Sequence, residues 1–148
     1  MNSTTDHPTH NTVAHDAFAD NCFAIHHVSF LVSDLPQALQ FYIDILGLTQ
    51  NPHRPALPFA GAWLDINPNQ QIHLLVLPNP DASERPEHGG RDRHLALFVQ
   101  DLSVIRTKLQ ATQQNFTESQ SGRPALFCRD PDGNTIELIE QAPQLPTN

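Results

Sequence analysis

The sequence predicts an α+β fold built from two tandem βαβββ modules. The first observation is an internal repeat: residues 25–35, IHHVSFLVSDL, resemble residues 91–102, RDRHLALFVQDL, and His27 aligns with His94 at an offset of 67 positions. The second observation is that each copy reads as a strand leading into a capped helix, followed by three strand-like segments. We therefore expect one domain over residues 23–141.

The first module, residues 23–78, opens with a strand, because side chains alternate in polarity over residues 24–33. Asp34 follows as a helix N-cap, since its carboxylate can accept hydrogen bonds from the free N–H groups of the first turn. Apolar residues then recur at helical spacing as far as Gly47, a residue type that commonly ends helices. The remaining strands of this module are predicted over 48–53, 59–66 and 71–77.

The second module, residues 93–141, repeats this plan. A strand over 93–99 leads to Asp101, a second candidate cap, and a helix with an apolar face follows. The sequence DPDG, residues 130–133, predicts a tight turn between the last two strands. The remaining strands of this module are predicted over 115–119, 124–129 and 134–140.

The rest of the chain lacks apolar periodicity. Residues 1–22 predict a disordered N-terminal tail, residues 79–92 a linker, and residues 142–148 a C-terminal tail. A formal net charge of −8 argues against non-specific nucleic-acid binding. No apolar run is long enough to span a membrane, and the N-terminus has no secretory pattern. Two cysteines are too few for a disulfide framework, so we expect a cytoplasmic protein.

Five of the seven arginines, all in the second half of the chain, could form one group: Arg85, Arg91, Arg93, Arg123 and Arg129. Surface ion pairs with acidic neighbours are the simpler interpretation, and Asp92, Asp130 and Asp132 are the expected partners. The alternative is a wall that binds a carboxylate or phosphate of a small-molecule substrate. Arg93, Arg123 and Phe98 are the candidate substrate-binding residues.

Strand alternation singles out four polar side chains. In the first strand of each module the apolar stripe occupies one face, which leaves His27 and His94 on the other. The same test applied to the last strand of each module assigns His73 and Glu137 to the corresponding faces. His26 has the opposite phase and is expected to point away. If a pseudo-twofold axis relates the modules, these four side chains meet in one concavity.

Imidazoles with one carboxylate suit a divalent transition metal, because borderline ions favour nitrogen and accept a hard oxygen. We therefore predict one divalent ion, Zn, Ni, Fe, Co or Mn, with His27, His73, His94 and Glu137 as ligands. Glu137 and His73 are also the candidate catalytic residues, and His73 is either a ligand or an acid–base group. The alternative is a closed concavity in which internal hydrogen bonds satisfy these polar groups.

Three strings in order resemble a known superfamily. They are residues 26–48 (HHVSFLVSDLPQALQFYIDILGL), 94–102 (HLALFVQDL) and 129–140 (RDPDGNTIELIE). Together they resemble the glyoxalase, bleomycin-resistance and extradiol-dioxygenase superfamily, called vicinal oxygen chelate. The resemblance covers about residues 23–141. It implies a glyoxalase-like pair of βαβββ modules that form an open, barrel-like cleft.

The resemblance also implies metal ligands. Carried over by position, His27 and His94 are first-strand ligands, and Glu137 is the final-strand ligand. Glyoxalase I has a glutamate as the remaining ligand, where this chain has His73. Extradiol dioxygenases and fosfomycin thioltransferases bind metal through two histidines and one glutamate, a set that this chain matches.

We expect a glyoxalase-type lyase or isomerase that acts on a small oxygen-chelating substrate. The metal would stabilise an enediolate, and Glu137 would move the proton. One alternative is a non-haem Fe(II) dioxygenase of the extradiol type, and another is a metal-free, bleomycin-resistance-like protein that binds a drug or metabolite. One helix per module leaves sheet edges open, so we also expect a homodimer.

Overall fold

A computed structural model describes residues 24–141 of the chain. The elements of its first half are β1 (His27–Val32), α1 (Leu35–Leu39), β2 (Thr49–Gln50), β3 (Gly61–Asn67) and β4 (Gln70–Val76). Those of its second half are β5 (His94–Val99), α2 (Leu102–Ala111), β6 (Phe116–Glu118), β7 (Ala125–Arg129) and β8 (Thr135–Glu140). The predicted tails, residues 1–22 and 142–148, lie outside the described residues.

The two halves have the same topology. The strand order is β1-β4-β3-β2 in the first sheet and β5-β8-β7-β6 in the second. In each sheet the first strand runs parallel to the last, and the other neighbours are antiparallel. The predicted α+β fold of two βαβββ modules is therefore confirmed, and residues 24–141 form two open sheets and no closed barrel. This topology sets the first and last strands of each module side by side.

Both helices begin at the predicted caps. The Asp34 carboxylate accepts a hydrogen bond from the backbone N–H of Gln37, and the Asp101 carboxylate accepts one from Ser103. The first helix differs from the expected regular helix, because a π-helical segment over Gln40–Ile45 follows α1. The turn of a π-helix is wider, but its apolar residues recur at a spacing close to that of an α-helix. The sequence pattern therefore did not distinguish the π-helix from the α-helix.

Side chains from both halves form a single hydrophobic core. It contains residues of both helical segments and the apolar stripes of both sheets, among them Tyr42, Leu74, Leu109, Leu126 and Leu138. Burying each large apolar side chain contributes about 1.5–3 kcal/mol. The shared core means that the two modules pack through the faces that carry their helices.

Polar contacts also join the two modules. The buried Tyr42 hydroxyl donates to the Asp130 carboxylate at 2.9 Å, and the Asn134 amide donates to the backbone carbonyl of Leu31 at 3.1 Å. Asp130 lies in the turn predicted from DPDG, and Leu31 lies near the end of β1. The turn itself is confirmed, with Gly133 at a φ of +84°. Burial raises the pKa of the Asp130 carboxyl above its usual range.

Several element boundaries differ from the expectation. β1 begins at His27 and not at residue 24, and β2 has two residues where six were predicted. The linker contains a short 3₁₀ helix, Gly89–Arg91, which the side chain of His88 caps. Between residues 24 and 141, no helix has the length and apolar character needed to cross a membrane.

Candidate functional site

Two of the predicted ligands stack on each other in the first sheet. β1 and β4 are parallel neighbours, and the rings of His27 and His73 lie 4.0 Å apart, only 13° from parallel. Trp63 of β3 lies opposite His73 in the register and covers its other side, with ring centroids 4.4 Å apart and 9° between the planes. The result is a stack of three rings that fixes the plane of the His73 imidazole.

His26 belongs to the same cluster. Its Nδ1 lies 2.9 Å from Nδ1 of His27, and the two rings meet edge to face. The expectation that His26 points away is therefore wrong. Alternation applies only within a strand, and β1 begins at His27, so the phase argument does not extend to residue 26.

The environment of His73 keeps its imidazole neutral. Burial lowers the pKa of His73 to about 4, and positive charge on the neighbouring His27 and His26 acts in the same direction. Its Nε2 lies 3.0 Å from the side-chain oxygen of Gln71. At neutral pH the ring therefore retains a lone pair on one nitrogen, as a metal ligand or a general base requires.

The other two predicted ligands meet in the second sheet. His94 Nε2 lies 3.2 Å from the carboxylate of Glu137, which is only 5% exposed. His94 Nδ1 lies 2.8 Å from the backbone oxygen of Asp92, so this nitrogen carries a hydrogen and donates it. When the ring is neutral, Nε2 therefore carries no hydrogen, and it is an acceptor that faces the acceptor oxygen of Glu137. A proton or a metal ion between the two atoms would satisfy both.

The structure forms two ligand pairs and does not bring all four residues together in one chain. Across residues 24–141, no group of three or more His, Cys, Asp or Glu side chains is placed to hold a metal ion. The modules pack through a core that contains the apolar stripes of β4 and β8. The opposite faces, which carry His73 and Glu137, therefore do not share one concavity within a chain.

Three of the five grouped arginines form ion pairs with Asp81 or Asp92. Arg93 contacts Asp81 at 2.7 Å, and Arg85 contacts Asp81 at 3.1 Å and Asp92 at 3.4 Å. Arg129 contacts Asp92 at 2.6 Å. These contacts favour the simpler interpretation for the three arginines. Among the expected acidic partners only Asp92 serves as one, while Asp130 binds Tyr42 and Asn134 instead.

The candidate substrate-binding residues lie in different surroundings. Arg123 is 62% exposed and its guanidinium lies 3.9 Å from the Glu137 carboxylate. Phe98 is 68% exposed and shares the alternation phase of His94 on β5. Arg93 and His94 instead line a cavity of about 440 Å³ between the two modules, together with β1 residues such as Ser29.

The fold defines a two-module βαβββ protein, and its two pairs, His27 with His73 and His94 with Glu137, are the candidate ligands. A family model described as the Glyoxalase/Bleomycin resistance protein/Dioxygenase superfamily matches residues 24–138. The chain belongs to this superfamily.

Individual relatives agree with this assignment. The uncharacterised protein YaeR of Escherichia coli is 32% identical over 133 residues, a match that covers 79% of this chain and 95% of YaeR. A lactoylglutathione lyase of Haemophilus influenzae is 28% identical over 121 residues, covering 77% of this chain and 90% of that enzyme. The structure of a Bacillus anthracis protein assigned to the glyoxalase family superposes with a TM-score of 0.67 at 23% identity, covering 82% and 98% of the two chains.

The sequence did not indicate the groups that surround the ligand pairs. Trp63 stacks on His73, and Phe127 lies edge-on to His94 with ring centroids 5.3 Å apart. Both contacts depend on which residues of neighbouring strands face each other, and alternation within a strand does not give this register. Gln71 lies two residues before His73 on β4 and so on the same face, yet nothing in the pattern indicated their hydrogen bond.

Proposed function

We propose that the protein is a divalent-metal-dependent lyase or isomerase of the glyoxalase type, with Zn, Ni, Fe, Co or Mn as its ion. The ligands are His27 and His73 of one chain and His94 and Glu137 of a second copy. The observation that carries this proposal is the equivalent placement of the two pairs. Each joins the first and last strands of its module, and neither pair suffices alone.

The donor chemistry of the pairs supports metal binding. A divalent transition metal favours imidazole nitrogen and accepts a carboxylate oxygen. His94 and Glu137 present a nitrogen and an oxygen at 3.2 Å, and a cation between them would relieve the contact between two acceptors. On the other module, burial keeps His73 neutral, so no proton has to leave its ring before a metal binds.

A second copy of the chain would cover the faces that carry these residues. Ile25 and Phe98 are both 68% exposed, and Leu77 is 36% exposed. Phe98 shares the alternation phase of His94 on β5, while Ile25 and Leu77 lie near the ends of β1 and β4. Large apolar side chains grouped near a site usually mark a surface that another molecule covers. A homodimer that pairs the first sheet of one chain with the second sheet of its partner would bury them.

The chemistry that we propose follows from this ligand set. When bound, a divalent ion supplies a Lewis acid that polarises two neighbouring oxygens of the substrate. Glu137 accepts the proton from the substrate carbon and returns it, because it is the one carboxylate in the set. Arg123, at 3.9 Å from Glu137, neutralises charge beside that carboxylate and is close enough to contact an anionic substrate group.

The substrate that we propose is a small molecule with adjacent oxygens that binds as an anion. Three neutral imidazoles and one carboxylate contribute a single negative charge, which is less than the charge of a divalent ion. The set therefore favours a substrate that supplies further negative charge. The name of the Haemophilus relative, lactoylglutathione lyase, supports lyase chemistry on an oxygen-rich carbon centre.

A second candidate function is an Fe(II) dioxygenase of the extradiol type. The stack of Trp63 and His27 on the His73 ring gives His73 a packing role that does not require a metal. If His73 is not a ligand, His27, His94 and Glu137 remain as two histidines and one carboxylate, the set of non-haem Fe(II) oxygenases. His73 would then serve as an acid–base group beside the metal.

Metal content provides the test. Protein purified without chelator or affinity tag should contain about one divalent ion per chain, measured by mass spectrometry. Glu137→Gln and His94→Ala should lose that ion, because each removes one donor of the second pair. His53→Ala is the matched control, since His53 is exposed on a loop and should leave the content unchanged. Equal metal content in all four proteins would rule out the proposed centre.

His73→Ala separates the two candidate functions. If His73 is a ligand, the metal affinity should fall sharply. If it is an acid–base group beside an Fe(II) centre, the metal should stay bound while turnover falls by about 10–100-fold. Oxygen consumption with catechol and proton exchange with hemithioacetal substrates then measure the two activities directly.

A further inference from the structure

A chain of hydrogen bonds runs across the first sheet and ends at His73. The Asn51 amide donates to both oxygens of Asp65 at 2.9 and 3.1 Å, and the Gln71 amide donates to Asp65 at 2.8 Å. The side-chain oxygen of Gln71 then lies 3.0 Å from Nε2 of His73. Asp65 is opposite Gln71 in the β3–β4 register, and alternation puts Gln71 and His73 on one face.

The orientation of each amide in this chain follows from its partners. A carboxylate only accepts hydrogen bonds, so the Gln71 group that faces Asp65 is its NH₂. The side-chain oxygen of Gln71 must then face His73. The other end of the chain is fixed in the same way, because the Asn51 oxygen accepts the backbone N–H of His53 at 2.8 Å and its NH₂ faces Asp65.

These orientations determine which nitrogen of His73 carries the hydrogen. An amide oxygen only accepts, so Nε2 of His73 must donate and carries the hydrogen. A neutral imidazole has one hydrogen, which leaves the lone pair on Nδ1. The opposite tautomer would require the Gln71 amide to rotate, and its oxygen would then face the Asp65 carboxylate at hydrogen-bonding distance.

We propose that Gln71, oriented by Asp65, is a positioning residue that holds His73 in the Nε2–H tautomer and so presents Nδ1 to the metal. This inference rests on the proposed function, because it assigns the atom through which His73 binds. Histidine ligands usually donate their second nitrogen to a carboxylate or carbonyl group that fixes the ring. Here the carboxylate of Asp65 acts through the amide of Gln71, while Trp63 and His27 fix the plane of the ring.

The tautomer can be measured without any metal or substrate. Long-range ¹H–¹⁵N correlation spectra of the metal-free protein at pH 7.5 should show His73 with its hydrogen on Nε2. Gln71→Leu should convert this signal into a mixture of tautomers. Gln110→Leu, an exposed glutamine on α2, is the matched control and should leave the His73 signal unchanged.

Variants of Asp65 test the role of the carboxylate. Asp65→Leu removes the acceptor that orients the Gln71 amide, so the tautomers should again mix. Asp65→Asn retains an oxygen that can accept from Gln71, so it should largely preserve the Nε2–H form. A role in strand pairing alone would not produce this difference, because both variants keep the backbone of β3.

Zinc titration of the same proteins connects the tautomer to the site. Gln71→Leu should weaken Zn²⁺ binding by about 10–100-fold, and Gln110→Leu should not. An Nδ1–H tautomer in the unmodified protein, or an unchanged tautomer in Gln71→Leu, would overturn the inference and leave the proposed metal centre standing. A tautomer shift in a protein that binds none of Zn²⁺, Ni²⁺, Fe²⁺, Co²⁺ and Mn²⁺ would confirm the role of Gln71 on the ring and refute the proposed function.

Discussion

Replacing Tyr42 with phenylalanine should destabilise the protein, because it removes a buried contact between the two modules. The Tyr42 hydroxyl is fully buried and donates to Asp130, which is 4% exposed. A hydrogen bond to a charged group contributes about 1.5–3 kcal/mol to stability. Asp130 retains the N–H donors of Asp132 and Asn134, so the loss should lie in the lower part of that range, about 1.5–2 kcal/mol.

The cost of this substitution should depend on pH. Burial raises the pKa of the Asp130 carboxyl, so ionised Asp130 opposes folding, and stability falls as the pH rises from about 4 through the folded-state pKa. The bond from Tyr42 stabilises the ionised form and reduces this loss. The difference between the two proteins should therefore be larger at pH 8 than at pH 4.

Urea unfolding, followed by the fluorescence of Trp63, the single tryptophan of the chain, measures both effects. A double-mutant cycle with Asp130→Asn isolates the contact between the two side chains. In the Asp130→Asn background, Tyr42→Phe should cost only about 0.5–1 kcal/mol, since the remaining bond is uncharged. A loss below about 0.5 kcal/mol at pH 8, or an equal loss in both backgrounds, would refute the reasoning.

The other predictions concern the candidate site and the turn beside it. The folded-state pKa of His73 is lowered to about 4, so the stability that His73 contributes should be complete above about pH 6.5 and lost as the pH falls toward 4. His73→Asn should therefore reduce the change of the unfolding free energy with pH, measured by urea titration. Gly133→Ala should cost about 1–2 kcal/mol in unfolding free energy, since a φ of +84° disfavours any side chain. In the proposed dimer Phe98 lies at the interface, so Phe98→Glu should give a monomer in sedimentation experiments, whereas Val104→Glu, on an exposed part of α2, should not. A monomeric unmodified protein would contradict the proposed dimer.

Local patterns in the sequence predicted the fold because the signals were themselves local. Alternation within β1 and β5, the caps Asp34 and Asp101, and the turn at residues 130–133 depend only on nearby residues. The same reasoning was wrong for His26, since it assumed a strand where β1 had not yet begun.

These local patterns did not predict the contacts between strands. The position of Trp63 over His73 depends on the β3–β4 register, which shifts between Asp65 and Asn67. The packing of one module on the other likewise depends on tertiary contacts such as that of Tyr42 with Asp130. For this reason the sequence identified four candidate ligands and did not show that one chain holds them as two separate pairs.

The central proposal is that each metal site takes one ligand pair from each of two chains, and mixing two defective variants tests it. One variant carries His27→Ala and His73→Ala, and the other carries His94→Ala and Glu137→Gln, so neither homodimer has an intact site. If sites form between chains, a mixed dimer regains one intact site from the undamaged pair of each partner. We expect neither variant alone to bind Zn²⁺ tightly, and co-refolded mixtures to recover one ion per mixed dimer in calorimetric titration. Mixtures that form dimers and still bind no Zn²⁺ would contradict the proposal.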